Sequence, residues 1–413
     1  SQFCYGTPSM PANQLPPCIV LGLETQIGLG IVRELGRAGI PVIGIAQSQS
    51  AIGLRSRHLS RSIVIDEPRS DALIACLVAL GEEYGEISLL AVSEVNLNWL
   101  ITQQSRLGRV RPILPKPEAL LQVLDKQKTL AVARSLGINT PQTTEPSSLT
   151  HLEALLETLS YPVVLKWKDP AAVMHLLSSN GLPLHKAEYA ANAEELRIIG
   201  KRYEAIGKWP LIQEYCPGYG LGQFFFMHNG IALRRFQHLR VAEWPPEGGF
   251  SSVCDSLPLN EHLELQDQSV ALLHAIGWEG VAMVEYRFDP KTGRAVLMEI
   301  NGRFWGSFPL AVHCQAKFAL LAYFVQGLGQ NTELEAPIAN IRCRMFSTEV
   351  KRLLRIIFSP KKIRDPYFQR VPLLETIRFI TDYFKPSVKY YVWDSDDRMP
   401  FLYDVLNIFR KRE

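Results

Sequence analysis

The chain has 413 residues, more than one compact domain usually contains, and its 47% hydrophobic content is that of an ordinary folded protein. The net charge is only +3, and the apolar runs are far shorter than the ~20 residues that a membrane-spanning helix needs. From the length we expect two or three domains. Seven scattered cysteines without C-x-x-C spacing argue against a disulfide framework and a zinc site, so we expect the protein in a reducing cytoplasm.

The N-terminal part of the chain alternates strand and helix signals. Residues 1–17 lack a basic region followed by an apolar stretch, so they predict a flexible leader and not a secretory signal. "CIVLGL", "ETQIGLG", "IVRELGRAG" and "IPVIGIA" then predict strand, turn, helix and strand, with Gly39 ending the helix. The alternation continues and predicts a Rossmann-like domain with an open α/β sheet over residues 18–115.

The turn of this domain argues against a dinucleotide site. E-T-Q-I-G-L-G lacks the G-x-G-x-x-G spacing, and the second strand ends in "AQSQS", without a carboxylate for a ribose. We therefore expect a scaffold that presents small ligands at its strand ends. Glu94 lies at such an end, where it is either a ligand candidate or a helix cap.

A second domain is predicted over residues 116–330, after the proline-rich joint "RPILPKPEA". Lys126 lies near the start of a helix predicted in "LLQVLDKQKTLAVARSLGINTP". "YPVVLKWKD" predicts a strand that places Lys166 and Lys168 on one face, and "WPLIQEYCPGYG" predicts another short strand.

The stretch "VLMEINGRFWGS" carries polar residues at alternate positions of an apolar strand. Successive side chains of a strand point to opposite faces, so Glu299, Asn301 and Arg303 share one face, while Met298 and Ile300 point to the other. One face of this strand is therefore predicted to carry the functional side chains of a site, and the other to pack in the core.

"VAMVEYRFD" and "RAVLMEIN" flank "PKTG" and predict a hairpin. A three-residue loop, Lys291 to Gly293, would set Glu285 opposite Glu299. A four-residue loop starting at Pro290 would put them on opposite faces unless a bulge corrects the register. Both registers remain open at this point.

In the first register, Glu285, Glu299 and Asn301 present three hard oxygen ligands of the kind that hold Mg²⁺ and leave sites for phosphate oxygens. Arg303 beside them could stabilise charge on a transferring phosphoryl group or an acyl oxyanion. The alternative is an exposed face whose carboxylates pair with arginines.

The order of five segments, "LDKQKTLAVARSLGINTP", "YPVVLKWKD", "LIQEYCPG", "GVAMVEYRFD" and "VLMEINGRFWGS", resembles the ATP-grasp superfamily over residues 18–320. It looks closest to the carboxylate-amine ligases, which include D-aspartate ligase-like enzymes and the carbamoyl phosphate synthetase ATP-binding domains. The resemblance implies a two-lobed ATP-grasp domain, with a central lobe over about 126–210 and a C-terminal lobe over about 211–330. A mainly helical, basic extension follows over 331–413.

Such enzymes phosphorylate a carboxylate with MgATP and let an amine displace the phosphate. By this resemblance Lys126 and Lys166 contact the ATP phosphates, and the backbone of Gln213, Glu214 and Tyr215 meets adenine. Lysine suits phosphate because it is a compact point charge.

By the same resemblance Glu285, Glu299 and Asn301 bind magnesium, and the two glutamates therefore also belong to the ATP site. Mn²⁺ is the candidate substitute for Mg²⁺. Arg303 neutralises the acyl phosphate, and with Lys166 it makes up the implied catalytic pair.

The sequence departs from the family pattern in two places. The segment after Lys166 lacks the usual glycine-rich run, so only "SSNG" offers a phosphate cradle, with Lys186 as a substitute contact. "CPGYGLGQ" has no acid for the ribose, which leaves that contact to Glu214.

"HLRVAEWPPEGGFSSVCDS" predicts a polar loop, either a surface excursion or the carrier of the substrate pocket. Arg240, Ser251 and Ser252 are its candidate carboxylate contacts. Cys254 has no partner that the sequence identifies, so we expect a structural thiol.

Residues 351–413 hold 14 Lys and Arg against 8 Asp and Glu, together with many aromatic residues. A membrane surface, a protein partner or an acidic acceptor would fit this composition, but we favour a helical appendage packed on the ligase core. No nucleic-acid module accompanies the charge, and a homodimer is left open.

The sequence thus predicts an ATP-dependent ligase that joins an amino acid to a small metabolite through an amide bond. The alternatives are a non-catalytic nucleotide-binding sensor and an NAD-dependent oxidoreductase. The intact Glu285, Glu299, Asn301 and Arg303 argue against the sensor, and the missing glycine fingerprint argues against the oxidoreductase.

Overall fold

The structure is a computed structural model that describes residues 14–410, so residues 1–13 of the predicted leader lie outside it. Five parallel strands form the N-terminal sheet: β1 (Cys18–Leu21), β2 (Val42–Ala46), β3 (Arg61–Val64), β4 (Ile87–Ala91) and β5 (Val110–Pro112). Their order is β3-β2-β1-β4-β5, which confirms the predicted open α/β sheet. The central strands are buried along their whole length because helices cover both faces.

Three helices cover this sheet: α1 (Gln26–Arg37), α2 (Asp71–Tyr84) and α3 (Glu94–Gln103). Thr25 caps α1 by accepting a hydrogen bond from the Ile27 amide, and Gly39, at φ +82°, follows the end of the helix as predicted. A Cβ on Gly28 would lie 1.9 Å from the Gly22 carbonyl oxygen. This glycine therefore serves the close packing of α1 against the end of β1.

Helices α4 (Pro117–Leu124) and α5 (Lys126–Ser135) share one hydrophobic core with the N-terminal sheet. A four-stranded antiparallel sheet follows, with strands β6 (Thr143–Thr144), β7 (Val163–Lys166), β8 (Glu188–Ala190) and β9 (Leu211–Glu214) in the order β6-β9-β7-β8. It has its own core with helices α6 (Leu149–Leu155), α7 (Pro170–Ser179) and α8 (Ala193–Arg202).

The largest sheet has seven strands: β10 (Tyr219–His228), β11 (Ile231–Trp244), β12 (Phe250–Ser256), β13 (Gly280–Asp289), β14 (Arg294–Asn301), β15 (Arg342–Arg344) and β16 (Lys389–Tyr390). Their order is β14-β13-β10-β11-β12-β15-β16. The remaining helices are α9 (Leu263–Ile276), α10 (Phe308–His313), α11 (Phe318–Leu321), α12 (Phe346–Phe358), α13 (Pro372–Tyr383) and α14 (Met399–Arg410).

Two features of this sheet differ from the sequence-based prediction. The segment predicted as a polar loop, residues 238–256, forms the second half of β11 and all of β12, with a tight turn at Pro245–Gly249. Residues Ser251 to Cys254 of β12 are all buried, so both faces of this strand are covered. The C-terminal extension is mainly helical, as predicted, but β15 and β16 also join it to the edge of the sheet.

No helix between residues 14 and 410 is both long enough and apolar enough to cross a bilayer.

Candidate active site

The β13–β14 hairpin has the four-residue loop, together with a bulge that corrects the register. Its loop has four residues, Pro290–Gly293, and the Gly293 amide donates to the Asp289 carbonyl over 2.8 Å. Tyr286 pairs with Leu297, whereas Glu285 pairs with Glu299, so Met298 is bulged out of the ladder. The bulge shifts the register by one residue and returns the two glutamates to one face.

Asn301 shares the face of Glu285 and Glu299, since it pairs with Met283 two residues further along the hairpin. Its amide nitrogen lies 3.6 Å from the Met283 sulfur. Glu285, whose side chain is 12% exposed, and Asn301 are half-buried, and Glu299 is exposed. The structure thus brings the three predicted oxygen ligands to one face of the hairpin.

Arg240 reaches this cluster from β11, two strands away. Its two terminal nitrogens lie 3.2 Å from the two carboxylate oxygens of Glu285, and one of them is also 3.2 Å from Glu243. Gly220 on the intervening strand makes the crossing possible, because a Cβ there would lie 2.6 Å from the Arg240 Cδ. Arg240, one of the three residues predicted to bind a substrate carboxylate, therefore lies in the site.

Burial and neighbouring charges shift the ionisation of this group. Burial raises the pKa of Glu285 to about 7; Arg240 opposes the rise and Glu299 adds to it. Burial lowers the pKa of the Lys166 ammonium, and Lys126 and Arg287 lower it further. A nearby anion would favour the charged form of this lysine.

A cleft between the four-stranded and the seven-stranded sheet contains these groups. It has two adjoining chambers, of about 870 and 780 Å³, and both touch Lys166, Arg240, Arg287 and Met298. Volumes of this size suit a ligand as large as a nucleotide.

The predicted adenine strand lines the first chamber. The amides of Glu214 and Tyr215 donate to the Gln142 and Pro162 carbonyls, so an adenine would meet this strand through other backbone groups. The predicted ribose contact, Glu214, forms an ion pair with Arg294 over 3.0 Å.

Gln213 also lines the first chamber, and its side chain donates to the Thr143 hydroxyl over 3.2 Å. Its burial and this bond hold β9 against β6 at the edge of the small sheet.

The second chamber brings together the three predicted phosphate-binding lysines, Lys126, Lys166 and Lys186, with Glu285 and Glu299. Lys126 is the first residue of α5, so it stands where the helix dipole also favours an anion. The "SSNG" segment, in contrast, forms the end of α7 and does not line either chamber.

Arg303 lies beside the cleft, not in its two chambers. Its Nε is 3.7 Å from a carboxylate oxygen of Glu94, and its Nη1 donates to the Phe304 carbonyl over 2.9 Å. Glu94 begins α3 behind the cap Ser93, and a smaller cavity joins it to Lys126, Glu299 and Asn301. The structure thus brings Glu94 and Arg303 together next to the predicted ligands.

Ser251 and Ser252 are not in the site, which corrects the sequence-based prediction. Both are buried in β12 and neither lines a cleft chamber. Cys254, in the same strand, is fully buried and 3.0 Å from the Tyr391 hydroxyl, and burial raises its pKa to about 12. It is a structural thiol, as expected.

Sequence reasoning missed the contribution of the C-terminal extension. Asp365 and Tyr367 enter the first chamber, where Asp365 accepts a hydrogen bond from Tyr215 over 3.2 Å and Tyr367 packs against the Tyr215 ring. Four cations of the extension line the second chamber: Arg355, Lys361, Lys362 and Arg364. The excess of basic residues in this segment was the only signal of that role.

Glu285, Glu299 and Asn301 fit a Mg²⁺ ion that takes its other ligands from phosphate and water, because they offer hard oxygens. Among residues 14–410 no group of three or more His, Cys, Asp and Glu side chains forms a metal cage. Arg240 on the Glu285 oxygens would have to share that carboxylate with the ion.

The sequence matches no family model and no curated protein. Among solved structures, a biotin carboxylase–β,γ-ATP complex from Campylobacter jejuni is 16% identical, with a TM-score of 0.57 over 78% of this chain and 74% of that one. The biotin carboxylase domain of Hydrogenobacter thermophilus 2-oxoglutarate carboxylase, with MgADP, ADP and bicarbonate, is 15% identical, with a TM-score of 0.56 over 78% and 73%.

N5-carboxyaminoimidazole synthetase from Staphylococcus aureus is also similar, at 15% identity and a TM-score of 0.54 over 81% of this chain and 83% of that one. Likeness at these identities establishes the fold. The chain has the ATP-grasp fold, as its five ordered segments predicted.

Proposed function

We propose that the protein is an ATP-dependent carboxylate-amine ligase that forms an amide bond through an acyl phosphate. One observation carries the proposal: Lys126, Lys166 and Lys186 line one chamber with the paired carboxylates Glu285 and Glu299. Cations suited to phosphate thus surround the oxygen ligands suited to Mg²⁺.

In the first step, a substrate carboxylate oxygen attacks the γ-phosphorus of ATP, the bond from that phosphorus to the bridging oxygen breaks, and ADP leaves. In the second, an amine nitrogen attacks the acyl carbon and loses a proton, and the carbon–oxygen bond to phosphate breaks. The products are an amide, ADP and inorganic phosphate, and the protein mainly orients the reactants and stabilises charge.

The roles of the residues follow from their positions. Lys126, Lys166 and Lys186 would neutralise the phosphates of ATP, since their ammonium groups face the same chamber. Arg303 would stabilise the acyl phosphate from the side of Glu94.

Bound Mg²⁺, held by Glu285, Glu299 and Asn301, would offset negative charge on the phosphoryl oxygens; Mn²⁺ would substitute for it. Arg240, already bound to Glu285, would keep that carboxylate aimed into the chamber.

In the first chamber, adenine would lie between the backbone of β9 and the side chains of Val164 and Met298. We propose an amino acid as one substrate and a small metabolite as the other, and the cytoplasm as the compartment. The turn between β1 and α1 lacks the G-x-G-x-x-G spacing, which disfavours the dinucleotide alternative.

Phosphorus NMR of the purified protein with MgATP, pooled amino acids and a small-molecule cell extract tests the proposal. Glu299→Ala should abolish turnover, whereas Glu264→Ala, on the exposed start of α9, should not alter it. Formation of AMP and pyrophosphate would overturn the mechanism. ATP binding by calorimetry without turnover in any pool would favour the non-catalytic sensor.

A further inference from the structure

Helix α13 of the C-terminal extension turns apolar side chains toward solvent. Leu373, Ile377, Ile380 and Phe384 follow at spacings of three and four residues, so they share one face, and Phe384 is 82% exposed and Leu373 72%. Leu374, beside them, is also exposed. In a helix on the surface of a soluble domain, this stripe would normally face the core.

The charged residues of the same helix point inward. Glu375 lies 2.6 Å from the Arg352 guanidinium, and Asp382, fully buried, lies 3.0 Å from that of Arg342. Arg378 reaches the buried Glu349 over 3.4 Å. The polarity of α13 is therefore inverted, with ion pairs inside and aliphatic side chains outside.

Helix α12, which packs against both α13 and α14, adds to this surface. Lys351, Leu354 and Phe358 recur at helical spacing and all are exposed, Phe358 by 75%. Helix α14 exposes Leu402, Leu406 and Phe409. We call the exposed apolar residues of α12, α13 and α14 the apolar face.

The exposed charge of the segment that carries the apolar face is almost entirely positive. Within residues 350–410, all of which the structure describes, nine basic side chains are exposed but Asp396 alone of the acidic ones. The exposed basic residues are Lys351, Lys361, Lys362, Arg364, Arg370, Lys385, Lys389, Arg398 and Arg410. Asp396 itself is paired with Arg37.

We propose that the apolar face and the exposed cations of the same segment dock the protein on an anionic phospholipid surface. Exposed aliphatic and aromatic groups on an amphipathic helix enter the headgroup region, and lysine and arginine bind anionic lipid headgroups. A second copy of the chain is a poorer occupant, because a two-fold contact would place the same cations opposite each other. Lys361, Lys362 and Arg364 also line the second chamber of the cleft, whereas Lys351 and the residues of the apolar face line neither chamber.

Sedimentation of the full chain with phosphatidylcholine vesicles, with and without phosphatidylglycerol, tests the proposal. Binding should require phosphatidylglycerol and should weaken with added salt, because salt screens exposed charge. Leu374→Glu combined with Ile377→Glu should weaken binding at least about tenfold, since both side chains would leave the membrane interface.

Two further variants separate the contributions of charge and apolar contact. Lys351→Ala should weaken binding about fivefold, which corresponds to about 1 kcal/mol for one basic residue near an anionic membrane. Ile231→Glu combined with Leu233→Glu introduces the same two charges at exposed residues of β11, remote from α12, α13 and α14 in sequence, and should bind like the wild type. Circular dichroism and thermal unfolding establish that each variant is folded.

Three results would overturn the proposal: no sedimentation of the wild type with phosphatidylglycerol vesicles at low salt, equal binding by the Leu374/Ile377 double variant, or equal binding to neutral vesicles. Light scattering that shows a dimer which the double variant dissociates would assign the apolar face to a second copy.

Discussion

Arg240 on β11 holds Glu285 on β13 across the backbone of Gly220, with both terminal guanidinium nitrogens 3.2 Å from the carboxylate oxygens. The two side chains are only 11% and 12% exposed, so each partner needs the other: a lone carboxylate or guanidinium so shielded from water would be costly. The carboxylates of Glu285 and Glu243 accordingly raise the pKa of Arg240, although burial acts to lower it. The glycine is thus a component of the site.

Gly220→Val should displace Arg240 and reduce ATP turnover at least about tenfold, at a cost of roughly 1–3 kcal/mol in the free energy of unfolding. The reason is the 2.6 Å approach that a Cβ would make to the Arg240 Cδ. Gly306→Ala is the control, because its Cβ would meet only the Gln26 amide nitrogen at 3.8 Å. Steady-state turnover and urea unfolding provide the two measurements, and wild-type turnover of Gly220→Val would contradict the role given to Arg240.

Lys166→Met should weaken ATP binding at least about tenfold, because a cation that faces the phosphates would be lost. Lys168→Met is the matched control, since Lys168 is exposed two residues further on and lines neither chamber. Calorimetric titration of both variants with ATP makes the comparison. Equal losses would show that general charge, and not position, governs the affinity.

Asp365→Ala should lower ATP affinity by about five- to tenfold, because it removes a buried carboxylate from the first chamber and its bond to Tyr215. Asp267→Ala, on the exposed side of α9 in a pair with Arg235, should have no effect. Calorimetry with ATP distinguishes them. Unchanged affinity of Asp365→Ala would mean that the extension only borders the nucleotide site.

Glu34 should make the free energy of unfolding fall as the pH rises. Burial in α1 raises its pKa from the ordinary 4.5 to about 7, although the Leu320 amide donates to it over 3.0 Å. The folded state therefore retains a proton that the unfolded state loses between these values. Stability should decline between pH 4.5 and about pH 7 by on the order of 3 kcal/mol and then level off.

Glu34→Gln should remove this decline, because the amide cannot ionise yet still accepts the bond from Leu320. Urea unfolding of both proteins at a series of pH values provides the test. Parallel curves for the two proteins would show that Glu34 ionises normally in the folded state.

The local sequence pattern was sufficient to predict much of the fold. The strand and helix alternation of residues 18–115, the end of α1 at Gly39 and the polar face of Glu299 and Asn301 follow from side-chain periodicity and turn chemistry, which act over a few residues. Lys126 and Lys166 of the second chamber were found because their segments occur in a specific order, and Lys186 because the segment after Lys166 lacks the usual glycine-rich run.

Other features depended on contacts between distant residues. Spacing could not reveal the bulge at Met298, which decides whether Glu285 and Glu299 share a face. The sequence also predicted that Ser251 and Ser252 line a pocket, whereas the pairing of β12 with β11 and β15 buries them. A strand residue's environment is set by which strands lie beside it.

The C-terminal extension shows the same division. The sequence by itself determined that this segment is basic, aromatic and helical. Only the tertiary structure decided that Asp365 enters the cleft and that α13 turns Glu375 inward and Ile377 outward. The physical reason is that a helical period defines two faces, but the partners of the packed helix decide which of them meets solvent.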